Sequence, residues 1–263
     1  LYALLLVICV ATGYWFYNNF EWVIEEQEVG FQGIAKTNQL LAAEIFLRRM
    51  GVQAKQVNGL VAVRQLPPTQ HTMMITTQRE TLTHELSQRL LDWVKAGGHL
   101  IVEARYLTSG ELKKAGGKDP GKYDPLLDEL FVYTSSNDLD DDKEDRAAVF
   151  VLPQDESETE IKVHFPHYRK LVTASDQKNQ ETGHNQLNPK PEPNWIIKDE
   201  LGQYLAQYSL DNGLLTVLNS SNIFTNDNLD ENDNAYLLHY LVQHPGFDSG
   251  VWLIRVDDMP ALW

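Results

Sequence analysis

The segment "ETLTHELSQRLLDWVKAGGHLIVEA", residues 80–104, constrains the fold more than any other part of the chain. Leu82, Leu86, Leu90, Trp93 and Val94 recur at helical spacing, and Gly97-Gly98 ends the run. The chain then passes directly into "HLIVEA", 99–104, which is apolar on both sides of the pleat. A strand that buries both faces needs layers above and below it, and helices supply them most readily when the sheet is parallel.

The remaining pattern agrees with that demand. "KTNQLLAAEIFLRRMG" reads as a helix capped by Thr37 or Asn38 and ended by Gly51, with Leu41, Ala42, Ile45 and Phe46 on one stripe. "VQAKQV" and "HTMMITT" (71–77) read as strands, and "YDPLLDELF" as a short helix. "QYLAQYSLDNGLLTVLN" is a hairpin turned at Asp211-Asn212-Gly213. "FTNDNLDENDNAYLLHY", 224–240, opens a helix for which Asn228 and Glu231 approximate a capping box, and Pro245-Gly246 ends it. "GVWLIRV" is the last strand. Between these halves, residues 134–194 are polar, with short β-like runs "AAVFVL" and "EIKVHF" and a nearly apolar-free stretch at 175–194. The expected architecture is α/β, a mainly parallel sheet flanked by helices, with a β-rich insertion at 134–194.

Length and charge bound the function. At 263 residues, one α/β domain of 20–263 behind a short leader fits better than two independent domains. Thirty-seven acidic against 22 basic residues leave a formal charge of −15. Such a surface repels nucleic acid and anionic headgroups, and suits cations and basic protein patches. The first seventeen residues, "LYALLLVICVATGYWFY", carry no charge, and Tyr14 to Tyr17 resemble an interfacial aromatic belt. Residues 1–19 are therefore expected to be a transmembrane anchor. The flank holds Glu21, Glu25, Glu26 and Glu28 and no basic residue before Lys36, which places the 20–263 domain outside the cytoplasm.

Few motifs carry chemistry. "GGKDPGKY", 116–123, has the glycines and lysine of a phosphate loop but Tyr123 where Ser or Thr must hold magnesium. Calcium-loop counts from Asp138 and from Asn228 fail at the glycine and the twelfth-position glutamate: Lys143 and Val149 in the first, Asp233 and His239 in the second. Asp138, Asp140, Asp141, Asp142, Glu144 and Asp145 read as a solvated acidic loop, and as a surface for a basic partner. His164 and His167 in "HFPH" have no third ligand nearby and a proline between them. No metal or cofactor is expected. By the rule that parallel sheets bind ligands beyond their strands' carboxyl ends, Thr76, Thr77, Glu103, Arg105, Asn219, Ser220 and Ser221 are the candidate contacts.

"NQLLAAEIFLRRMG", "LLDWVKAGGHLIV", "VLNSSNIFTNDNLDENDNAYLLHYLV" and the terminal "MPALW" resemble the bacterial membrane-anchored family named domain of unknown function four-three-five-zero. Asn38, Trp93 with Gly97-Gly98, and Asp233-Asn234 are the most specific matches. The resemblance implies a soluble domain of the class I glutamine amidotransferase-like (flavodoxin-like) fold, as in gliding and ABC-transport-associated proteins. It implies a second transmembrane helix after Trp263, a bacterial inner-membrane location with the domain in the periplasm, and a gene context of MoxR-type ATPases and transglutaminase-like membrane proteins. Amidotransferases of this fold use a cysteine nucleophile, whereas the only cysteine here, Cys9, lies in the apolar leader.

Three functions remain open at this level. The leading one is a non-catalytic, membrane-tethered domain binding a partner protein or small ligand. A cryptic hydrolase would instead bring Glu103, Asp227 or Asp233 together near Ser220. An assembly role would use the acidic loop at 138–145.

Overall fold

The computed structural model describes residues 2, 12, 14, 15, 33–59, 64–76, 79, 82–107, 124–127, 130, 132–136, 147–153, 160–165, 169–173, 191–200, 202–243 and 250–255. Thr77, the acidic loop at 138–145, the 116–123 loop, His167, Cys9, Pro245-Gly246 and the terminal "MPALW" lie outside them. The chain divides into two compact units, Leu1–Lys36 and Thr37–Trp263. In the first, Tyr2, Thr12, Tyr14 and Trp15 are helical and exposed. No helix among the described residues is long and apolar enough to cross a membrane.

The second unit is an α/β domain. Its strands are β1 (Gln53–Asn58), β2 (Thr72–Ile75), β3 (His99–Glu103), β4 (Tyr133–Ser136), β5 (Ala148–Val151), β6 (Glu160–Val163), β7 (Arg169–Val172), β8 (Trp195–Lys198), β9 (Gln203–Leu210), β10 (Gly213–Leu218) and β11 (Gly250–Arg255). Its principal helices are α1 (Leu41–Arg49), α2 (His84–Lys95) and α3 (Asn234–Val242). Seven strands form one sheet in the order β1-β11-β2-β3-β10-β9-β8. The first five run parallel, and the β9–β10 hairpin and β8 add an antiparallel flank. The last strand does not close an edge but inserts between β1 and β2.

Strand pleating sorts side chains between two cores. Met73, Ile75, Leu100, Val102, Leu215 and Val217 face α2, where they meet Leu90, Leu91, Trp93 and Val94. Met74, Ile101, Leu218, Val251 and Leu253 face α1 and α3, where they meet Leu47, Leu237, Leu238 and Leu241. Strand β3 is buried on both faces, as its unbroken apolar run requires. Each fully buried aliphatic side chain contributes about 1.5–3 kcal/mol, so these cores fix which face each helix covers.

A polar chain crosses the α1/α3 face inside the core. Thr72 Oγ1 lies 3.4 Å from His99 Nδ1, and His99 Nε2 lies 2.9 Å from Thr216 Oγ1. Gln207 Nε2 donates to Thr216 Oγ1 at 3.0 Å, and Trp195 Nε1 donates to Gln207 Oε1 at 2.7 Å. Five neighbouring strands, β2 to β8, are thus tied side to side by groups that would be costly if left unpaired.

Close approach explains the Gly97-Gly98 pair. Gly97 has φ +117°, a conformation that favours glycine. A Cβ on Gly98 would meet the Trp93 ring at 2.6 Å. Trp93 is held there by its indole N–H, which donates to the Pro67 carbonyl at 2.8 Å.

The insertion forms two small ladders instead of one sheet. β5 and β6 pair antiparallel and send Ile161, Val163 and Phe165 into the α1/α3 core. β4 and β7 pair antiparallel and send Val132 and Leu171 into the α2 core. The expected helix at 123–131 is, in its described residues, a pair of turns in which Leu127 and Leu130 donate three residues back. Asp124 accounts for this, because its side chain accepts from Leu126 N and holds an ion pair with Arg79.

The helix in "FTNDNLDENDNAYLLHY" begins at Asn234, later than a capping box at Asn228 and Glu231 requires, and no side chain caps it. Its polar residues have other partners. Asp233 Oδ2 accepts from Lys162 N at 2.8 Å and Asp233 N donates to Lys162 O at 2.8 Å. Asn234 Oδ1 accepts from His164 N at 3.3 Å, while its Nδ2 donates to Asn228 O at 2.7 Å. The stretch pairs with the outer edge of β6 and so docks the insertion onto α3.

Candidate functional site

Strands β2, β3 and β10 end side by side. Thr76 follows β2, Glu103 ends β3, and Asn219, Ser220 and Ser221 follow β10. Beyond β3 the chain joins the α2 core through Leu126 and Leu127, whereas beyond β10 it joins the α1/α3 core through Ile223 and Phe224. Neighbouring strands whose continuations leave on opposite faces define a switch point at the carboxyl edge of the sheet, the place where open α/β sheets bind ligands.

Glu103 and Ser221 join the end of β3 to the turn after β10 at this point. Glu103 Oε2 accepts from Ser221 N at 2.9 Å and from Ser221 Oγ at 2.6 Å. Glu103 Oε1 accepts from Arg169 Nη1 at 3.3 Å, with 24% of the glutamate and 28% of the arginine side chain exposed. The Ser221 hydroxyl also lies 3.1 Å from the Thr76 carbonyl, so its single proton has two acceptors in reach. Charge-assisted bonds of this kind are roughly twice as strong as neutral ones.

A second layer supports the first. Asn219 Nδ2 donates to the Arg169 carbonyl at 2.9 Å, and the Arg169 guanidinium stands 5.0 Å from the centre of the Tyr106 ring. Arg79, buried, donates from Nη1 to the Glu103 carbonyl at 2.8 Å and from Nη2 to Asp124. Its Nε has no partner among the described residues. The Arg105 carbonyl accepts from Thr134 N at 2.9 Å, so β4 lies parallel beside the chain that leaves β3. Ser220 Oγ accepts from Asn222 N at 3.2 Å and serves its own turn.

Of the residues singled out from sequence, Thr76, Glu103, Asn219 and Ser221 meet, Thr76 through its carbonyl. Arg105 contributes a carbonyl to β4, Ser220 bonds locally, and Thr77 lies outside the described residues. Arg79, Asp124, Tyr106 and Arg169 were not anticipated. Arg169 lies in the polar insertion, 66 residues from Glu103, and nothing in its neighbours' spacing marks it.

Of the three carboxylates that a hydrolase would bring near Ser220, Glu103 is there, bonded to the adjacent Ser221. Asp233 is bonded to Lys162, 71 residues away in β6, and Asp227 is exposed. His164 pairs with Glu231 at 3.7 Å. The partners of the Ser221 side chain and the Glu103 carboxylate include no histidine among the described residues. Among the described residues, no three His, Cys, Asp or Glu side chains are placed to hold a metal ion.

Titration is perturbed at Tyr204 and His239. Burial raises the Tyr204 phenol, with a smaller contribution from the Asp199 carboxylate that accepts its hydroxyl at 2.7 Å. Burial lowers His239, which lies edge-on to Phe46 with ring centres 6.3 Å apart.

The strand order and pairing define an α/β domain with a mostly parallel seven-stranded sheet. The chain belongs to the family described as "Domain of unknown function (DUF4350)", whose model matches residues 35–242. No curated protein matches it. Among solved structures, the exo-β-1,4-mannosidase Op5Man5 from Opitutaceae bacterium strain TAV5 is similar at 13% identity and a TM-score of 0.42. That match covers 84% of this chain and 31% of the mannosidase, so the chain spans about a third of that protein's length. The mmIFT52 N-terminal domain is similar at 15% identity and a TM-score of 0.42, covering 84% of this chain and 96% of that domain.

Proposed function

We propose that this protein is a non-catalytic binding domain that holds a partner protein or a small ligand at the carboxyl edge of its sheet. The observation that carries the reading is the mutual engagement of Glu103, Ser221 and Arg169. A serine bonded to a carboxylate also suits a nucleophile and its base, but here the Arg169 guanidinium shares that carboxylate, and the three groups hold one another in place. The hydrolase alternative is supported by Glu103 beside Ser221, whereas Asp233 is bonded to β6 and Asp227 is exposed.

The finer parts of the proposal rest on sequence. The uncharged leader with its aromatic belt supports an inner-membrane anchor, and the acidic flank supports a periplasmic domain. The family resemblance supports a class I glutamine amidotransferase-like fold that has kept its binding edge without the cysteine. It also supports a membrane complex that includes MoxR-type or transglutaminase-like proteins as the setting.

Cross-linking with mass spectrometry in native membranes tests the binding reading. The expected result is cross-links to a membrane-complex protein that diminish when Arg169 and Arg105 are replaced by glutamate. Turnover of an ester, peptide or glycan by the purified chain would overturn the non-catalytic reading.

A further inference from the structure

Three donors from two parts of the chain converge on one carboxylate at the switch point: Ser221 N, Ser221 Oγ and Arg169 Nη1. That set answers the two oxygens of a carboxylate with a guanidinium on one side and an N–H/O–H pair on the other. Its occupant is the chain's own Glu103. We propose that this donor set is a carboxylate-binding cradle, that Glu103 is its built-in occupant, and that the ligand admitted at the sheet edge presents a carboxylate that takes Glu103's place. The proposal rests on the reading of this edge as a binding surface.

The donors do not depend on Glu103 for their positions. Arg169 is set by its stack on Tyr106 at 5.0 Å and by the Asn219 bond to its carbonyl at 2.9 Å. Ser221 Oγ retains the Thr76 carbonyl at 3.1 Å as an acceptor when the carboxylate leaves. The Arg169 contact is single and 3.3 Å long, and about a quarter of each side chain faces solvent, so this is the bond at which exchange begins. Departure of Glu103 therefore leaves preorganised donors and no need to rebuild the site. The insertion gains a role as well, because its strand β7 delivers the cation that meets the Glu103 carboxylate.

The same chemistry could come from a free small carboxylate or from an acidic side chain of a partner protein. Acetate is the probe for the first, and an acetylated glutamate-containing peptide with its glutamine counterpart for the second. The full chain is compared as wild type, Glu103→Ala and Glu103→Ala/Arg169→Ala, in acetate and in chloride at equal ionic strength. Acetate is expected to raise the Tm of Glu103→Ala saturably, by roughly 2–4 °C, while wild type and the double variant respond at most weakly. If Glu103→Ala is unfolded in chloride, recovery of its circular dichroism in acetate reads the same property. Glu103→Gln, a neutral and weaker occupant, should respond less than alanine and more than wild type. A peptide response that the glutamine peptide lacks assigns the site to a partner side chain; a response to acetate alone assigns it to a small carboxylate. Absence of any saturable acetate response in both single variants, or an equal response in all variants, overturns the cradle. Either failure leaves the native-membrane cross-links unaffected, and loss of those cross-links leaves the acetate response unaffected.

Discussion

Asn226 donates from Nδ2 to the carbonyl of Asn38 at 2.7 Å, joining positions 188 residues apart. The same amide accepts from Ala42 N at 2.8 Å, so one side chain brackets the start of α1. Asn38 in turn accepts Leu40 N on its Oδ1 at 3.2 Å. Replacing Asn226 with alanine leaves a carbonyl and an amide at the helix start without this partner. The expected cost is about 1–3 kcal/mol, read as a lower urea midpoint with an unchanged slope.

Gly98 lies against the Trp93 ring, with no room for a Cβ. Gly98→Ala should cost about 1–3 kcal/mol through overpacking. The displaced indole loses its bond to the Pro67 carbonyl, so a red shift of tryptophan emission should accompany the fall in Tm.

Thr216 joins His99 and Gln207 within the buried chain of side chains. Thr216→Val keeps the shape and removes the hydroxyl, and about 1–3 kcal/mol of stability should go with it. In a cycle with Gln207→Leu, the double variant should be less destabilised than the sum of the singles, because the second change removes a group the first left unpaired.

Asn234, fully buried, holds the backbone of His164 and through it the β5–β6 ladder. Asn234→Ala should loosen the insertion before it loosens the sheet. Hydrogen exchange is expected to accelerate at Ile161 to His164 while the amides of Leu100 to Val102 keep their protection.

His239 is lowered by burial from its ordinary value of 6.5, so the folded state favours the neutral ring. The stabilising contribution of that preference is complete above the unfolded value and is lost as pH falls below it toward the folded value. Stability measured by urea at pH 7.5, 6.5 and 5.5 should decline across this window, and His239→Leu should flatten the decline.

Much of the fold was legible because periodicity is a property of near neighbours. The stripe of Leu86, Leu90, Trp93 and Val94 and the unbroken apolar run at 99–104 identify α2 and β3 without knowledge of what they touch. The glycines at 97 and 98 likewise mark the end of α2, although only the Trp93 ring shows why the second cannot carry a side chain. The capping-box reading of 228–231 went astray for the opposite reason. Asp and Asn serve a helix start and a neighbouring strand edge with the same atoms, and only β6 beside them decides which.

The sequence by itself determined the alternation of helices and strands, the double burial of β3, the hairpin at Asp211-Asn212 and the acidity of the surface, since each depends on composition or on spacing within a few residues. Tertiary structure alone decided that β11 enters between β1 and β2, that the insertion splits between the two cores, and that Arg169 meets Glu103 beside Ser221. Those choices depend on which distant surfaces bury the most apolar area and leave the fewest polar groups unpaired, a comparison made over the whole domain and recorded in no local stretch of the chain.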